Sequence, residues 1–170
     1  MPPVNPRHGV HPSLWLLPDE DSQLVPVLAA LAEAYSGPRF VPHLTLLGSI
    51  PGGELVARSA SLAARLSPMM LPTGPVLKST RWFRCLTLTI PLSSVLQSAR
   101  DAAADAFGVP ARPWLPHISL LYGDLRADQT ARITEGLPTL PTAVRFSTLV
   151  LAATIGPTEA WSELGRWRLQ

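Results

Sequence analysis

Phe40-Val41-Pro42-His43-Leu44-Thr45-Leu46-Leu47 and Trp114-Leu115-Pro116-His117-Ile118-Ser119-Leu120-Leu121 run in one order: aromatic, aliphatic, Pro, His, aliphatic, hydroxyl, Leu, Leu. In an extended strand, alternate side chains share a face. Each copy therefore sets one imidazole and one hydroxyl side by side, with Leu44 and Leu46, or Ile118 and Leu120, on the opposite face. Either His43 or His117 alone would read as a structural histidine. The recurrence of Pro, His, hydroxyl and Leu in register makes a functional pair the stronger reading, half of a reaction site used twice.

The surroundings repeat as well. Ser13 to Pro18 is a short apolar run that reads as a buried strand. Asp19 to Ser22 can cap a helix that starts near Asp21, because Pro26 is tolerated only in a first turn. Leu24, Val27, Leu28, Leu31 and Tyr35 then recur at helical spacing, and Gly37-Pro38 ends the helix before the first His strand. In the second copy, Cys85 to Ile90 is the strand. Ser93 or Ser94 caps a helix with Val95, Ala99, Ala102, Ala103 and Ala106 on one side, and Gly108 and Pro110 end it. The spacing predicts further helices over Glu54 to Leu66 and Ala127 to Leu137, and a strand near Val76 to Phe83. It also predicts a hairpin of Val144 to Ile155 with Ala160 to Leu169. The chain reads as a duplicated α+β unit whose two lobes face each other, with a repeat of 74 residues from His43 to His117 that is too long for a solenoid.

With 170 residues, 46% of them hydrophobic, the chain can bury one domain. The proline-rich residues 1–12 read as a flexible segment ahead of a single bilobed domain at 13–170. A net charge of +2 suits a small anionic ligand and is too weak for a long nucleic-acid track. No apolar run reaches the ~18 residues of a membrane helix, and the N-terminus has no signal-peptide core, so a cytoplasmic protein is expected, with no stable protein partner implied. Cys85 is the sole cysteine. It cannot form an internal disulfide and reads as a small core residue. His8 and His11 form an H-x-x-H pattern in the tail. No H-E-x-x-H or Cys pair occurs, and Asp124 is the only carboxylate near a His strand, so neither a metal nor another cofactor is expected. Of the aromatics, Trp114 reads as core. Trp82, Phe83 and Tyr122 are placed to stand at a site mouth and stack on a base.

Two imidazoles across a groove can act as one base and one acid near neutral pH. Neighbouring hydroxyls can donate to an oxyanion without adding charge. Phosphodiester hydrolysis needs this set: a base for water, an acid for the leaving oxygen, and donors for the nonbridging oxygens. The symmetry of the repeat allows either order; His117 is taken as the base and His43 as the acid.

The doubled H-x-[TS]-L pattern resembles the two-histidine (2H) phosphoesterase superfamily. LWLLPDEDS, GPRFVPHLTL, WFRCLTL, LPHISLLYGDL and the late Trp161 are similar to its plant and yeast cyclic phosphodiesterases. The resemblance implies an α+β fold of two pseudo-symmetric lobes, each an antiparallel sheet with helices, around a central groove. It implies opening of ADP-ribose 1″,2″-cyclic phosphate or of nucleoside 2′,3′-cyclic phosphates. His43 and His117 would be catalytic, Thr45 and Ser119 would hold phosphate, and Tyr122 would contact the ligand region. The plant enzymes carry several cysteines, whereas this chain has Cys85 alone. One alternative is an RNA-end 2′,3′-cyclic phosphodiesterase or 2′-5′ ligase, for which Arg39, Arg81, Arg84 and Arg112 offer flanking charge. Another is a nonenzymatic nucleotide-binding module, which would not need two complete dyads.

Overall fold

The computed structural model describes residues 5, 7–110 and 112–170. Ten strands and four helices follow in the order β1 (Gly9–Val10), β2 (Ser13–Pro18), α1 (Leu24–Ala34), β3 (Leu44–Leu47), α2 (Leu55–Ala63), β4 (Met69–Pro72), β5 (Val76–Lys78), β6 (Leu86–Thr89), α3 (Ser94–Phe107), β7 (His117–Leu121), α4 (Ala127–Glu135), β8 (Ala143–Ala153), β9 (Ile155–Gly156) and β10 (Ser162–Arg168). The two strand–helix–strand units stand where the repeat placed them. Pro26 lies in the first turn of α1. The Ser93 hydroxyl accepts from the Leu96 amide at 3.3 Å and caps α3, and Gly108 ends that helix at φ +63°, a conformation that costs other residues a steric penalty.

All strand pairs are antiparallel, and the main sheet runs β10-β8-β2-β3-β7-β6-β5, with β4 added beside β8. The two expected sheets are thus continuous. They meet through a single pairing, Leu44 with Ile118. These two residues hold the same place in the two repeats, so the pseudo-twofold axis passes between them. The helix ahead of each His strand packs on the other: α1 on β7 and α3 on β3. One hydrophobic core underlies the junction, with Leu16, Leu44, Leu46, Leu88, Ile118 and Leu120 all buried. A smaller cluster of Trp15, Leu17, Val150 and Ala152, with Trp161 packed against it, forms separately.

Three local expectations change. The strand near Val76 to Phe83 stops at Lys78. Ser79 turns the chain by accepting from the Arg81 amide at 3.2 Å and donating to the Arg84 carbonyl at 2.7 Å, and Trp82–Arg84 is a 3₁₀ turn. Strand β4 was not anticipated; its two inward residues, Met69 and Leu71, are too few to show a period. Within the segment expected to be flexible, Gly9 and Val10 pair with Gly156 and Ile155, while residues 1–4 and 6 lie outside the described residues. Cys85 is fully buried and its thiol donates to the Leu121 carbonyl at 3.0 Å. Among the described residues, no helix is long and apolar enough to cross a membrane.

Candidate active site

The antiparallel junction of β3 and β7 brings the two His strands to the floor of one groove. His43, Thr45, His117, Ser119 and Tyr122 line it together, in a space of about 470 Å³, within the usual size of a small-ligand site. In both repeats the Nδ1 nitrogen of the histidine meets the backbone carbonyl two residues earlier: Val41 at 2.7 Å for His43, Leu115 at 2.8 Å for His117. A carbonyl can only accept, so Nδ1 carries the proton and Nε2 keeps the lone pair. The residue between each histidine and its carbonyl is the proline that the sequence repeats.

The two imidazoles are not equivalent. His43 is 7% exposed. Trp15 stacks on it, with ring centroids 3.9 Å apart and planes at 16°, and Phe40 meets its edge. Burial pushes its pKa down to about 4, the Val41 carbonyl opposes this, and charge on His117 lowers it further. His117 is less enclosed. Its pKa is lowered by burial, raised by the Leu115 carbonyl, and lowered again by the nearby Arg84 charge.

The hydroxyls differ too. Thr45 is half-buried on the groove wall. Ser119 is buried and donates to the Phe83 carbonyl at 2.9 Å, so its proton must swing away from that carbonyl to serve a ligand. Tyr122 is buried between Phe40, stacked at 3.8 Å, and the edge of Phe83. Its phenol is pushed far above the ordinary range by burial, which a Ser119 hydrogen bond offsets only in part.

Phe83 lines the groove, but its neighbour Trp82 does not. The 3₁₀ turn rotates successive side chains by about a third of a circle, which sends Trp82 under the Arg7 guanidinium, 4.8 Å from its ring centroid. Trp114, expected in the core, is half-buried and packs against it, and it also lines the groove, with the Arg100 guanidinium 4.5 Å over its ring. Of the flanking arginines, Arg84 and Arg112 reach the lining. Arg39 instead lies 3.7 Å from Glu33, and Arg81 is absent from the lining. The sequence reading missed Trp15, Trp161 and Arg100. Trp15 sits in an apolar run and reads as core, and Arg100 is one charge on the polar side of a helix. His8 and His11 also line the groove, together with three arginines, and no described lining residue is a carboxylate. The site is an aromatic-walled, cationic trough with two backbone-anchored imidazoles. No three His, Cys, Asp or Glu side chains converge as a metal-ligand set among the described residues.

No protein-family profile matches the chain. Over 137 residues it is 28% identical to a cyclic phosphodiesterase of Arabidopsis thaliana, spanning 78% of this chain and 76% of that one. Among solved structures, the apo form of LigT from E. coli is similar at TM-score 0.59 and 20% identity, covering 95% of this chain and 98% of that one. LigT in complex with 3′-AMP gives TM-score 0.59 at 17% identity, with 94% and 98% covered. A crystal structure described as a phosphoesterase gives 0.57 at 15% identity, with 96% and 99% covered.

Proposed function

We propose that the chain is a two-histidine phosphoesterase that hydrolyses small cyclic phosphodiesters, nucleoside 2′,3′-cyclic phosphates or ADP-ribose 1″,2″-cyclic phosphate, to the ring-opened monoesters. The observation that carries this is the pair of imidazoles, each held by Nδ1 on a backbone carbonyl, in one groove lined by arginine, with no carboxylate among its described lining residues.

A cyclic diester is a monoanion, so the cationic lining attracts it and a neighbouring carboxylate would oppose it. For a 2′,3′-cyclic nucleotide, water attacks phosphorus opposite the bridging oxygen that leaves. One imidazole takes the proton of that water, the new P–O bond forms as the bridging bond breaks, and the second imidazole gives a proton to the departing sugar oxygen. One water is consumed and the product is a 2′-phosphate. Thr45 and, after rotation, Ser119 donate to the nonbridging oxygens. We assign the roles in the opposite order to the one first expected, on the unequal burial of the two rings. His43 is the group held neutral, with a free Nε2, and suits the base. His117 is the less enclosed and suits the acid, since the bound anion favours its charged form.

The test is a turnover panel: a mononucleoside 2′,3′-cyclic phosphate, ADP-ribose cyclic phosphate and cyclic-phosphate-ended RNA, each assayed with and without exhaustive chelation. Hydrolysis of either small substrate that survives chelation supports the proposal. Tight binding with no turnover of any of the three would make the protein a nucleotide-binding module instead.

A further inference from the structure

We propose that residues Arg7 to His11 are a strap that closes one end of the groove and selects cyclic phosphates of nucleotide size over the ends of RNA chains. This rests on the functional reading above and names the element that sets its substrate size.

The strap is fixed to both halves of the molecule. On the first half, Gly9 and Val10 pair with Gly156 and Ile155. The Thr154 hydroxyl donates to the His11 carbonyl and lies 3.1 Å from the buried Ser13 hydroxyl. Gly9 passes so close to this edge that a Cβ there would lie 2.1 Å from the Thr154 carbonyl oxygen, a distance no side chain tolerates. On the second half, Arg7 pairs with Asp124 and covers the Trp82 ring. Between these anchors, His8 to His11 form part of the groove wall. An open-ended trough spanned at one end by backbone becomes a blind one.

The strap also borders the aromatic wall: the Trp161 indole N–H donates to the Gly156 carbonyl at 3.1 Å, and Gly156 pairs with Gly9. Trp161 sits 5.6 Å from Phe83 and 6.0 Å from Trp15, measured between ring centroids, and so joins the two halves beside Thr154. Flat apolar faces there suit the base of a nucleotide whose phosphate sits between the histidines. A nucleoside held that way points its remaining substituents at the strap. A free 5′ hydroxyl fits, whereas a 5′-linked group, whether an RNA chain or the ADP of ADP-ribose cyclic phosphate, meets the backbone of Gly9 and Val10, so of the two small substrates the strap favours the nucleoside 2′,3′-cyclic phosphate.

The experiment compares kcat/KM for a nucleoside 2′,3′-cyclic monophosphate and for an oligoribonucleotide ending in the same cyclic phosphate. The proteins are the wild-type chain, Arg7→Ala and Asp124→Ala, which remove the anchor from either side and leave the groove lining intact. Amide exchange at Val10 verifies that the strap is released in the variants. The wild type should prefer the mononucleotide. Releasing the strap should leave mononucleotide kcat/KM within about threefold and raise that of the oligomer by about tenfold or more, the signature of a removed steric exclusion. An unchanged ratio after release, or a wild type that uses both substrates equally, would overturn the strap's role and leave the hydrolase reading standing. No turnover of either substrate by the wild type would overturn both.

Discussion

His43 and His117 occupy equivalent places but have unequal neighbours, and one substitution between the repeats accounts for much of this. Trp15 pairs with Thr45 across β2 and β3, and Thr87 pairs with Ser119 across β6 and β7. The first histidine is therefore roofed by an indole where the second faces a small hydroxyl residue. With His43 as base and His117 as acid, kcat/KM should follow a bell-shaped pH profile. Its acid limb reports His43, lowered to about 4. Its basic limb reports His117, also lowered from 6.5. The optimum should then lie on the acid side of pH 6.5. Each limb belongs formally to the pair, so the variants carry the assignment. His43→Ala and His117→Ala should each cut kcat by about 10²–10⁴-fold. Trp15→Thr should hydrate His43, raise its pKa toward the ordinary value and move the acid limb to higher pH; a limb that stays in place would show that the indole does not control it. At the hydroxyls, Thr45→Val should lower kcat by up to about 10²-fold, while Thr45→Ser keeps most of the activity because the second repeat already uses serine there. The four polar residues were legible because the chain spells them twice. Trp15 was not, because a tryptophan within Ser13–Leu17 looks like any other buried apolar residue, and nothing local says that its face is the groove.

Among the elements, α3 was read with the correct start, since its cap is chemical and local, whereas α1 starts at Leu24 rather than near Asp21 and has no side-chain cap at Gln23. Ser93 supplies the only side-chain acceptor to the first turn of α3 in the described hydrogen bonds. Ser93→Ala should cost about 1 kcal/mol of stability, measured as a fall in the denaturant midpoint with an unchanged slope, and should leave the pH profile unmoved. The other two helices end earlier than the sequence indicated, at Ala63 and Glu135. Apolar residues beyond them, such as Leu66 and Leu137, pack against the core without being helical, and periodicity cannot separate those two cases. The shortened β5 has a similar cause. Val76 to Lys78 pair with Leu86 to Leu88 as a strand should, but the Ser79 hydroxyl takes up the Arg81 amide and the Arg84 carbonyl and turns the chain. Strands β1 and β9 are two residues each, below the length at which any pattern exists.

At the scale of the whole molecule, the duplication was visible and the merger of its halves was not. Two strands 74 residues apart share one residue pair, and no local signal specifies so long-range a contact. That pair is a keystone: Leu44 and Ile118 are both fully buried, and each lies beneath the helix contributed by the opposite repeat. Leu44→Ala should therefore cost about 2–5 kcal/mol, and unfolding followed by fluorescence and by circular dichroism should remain one coincident transition; separate transitions would mean that the halves fold as independent units. The burial of Cys85 gives that cooperativity a clock. Its thiol lies at the head of β6, hydrogen-bonded to β7 across the second half of the sheet, and desolvation holds its pKa up at about 11. Thiolate is the reactive form, so an alkylating reagent meets almost none of it until the sheet parts. Trapping of this single sulfur should then proceed at the rate of opening, independent of reagent concentration once that is high. The molecule carries its own unlabelled stopwatch, set within the half that holds His117.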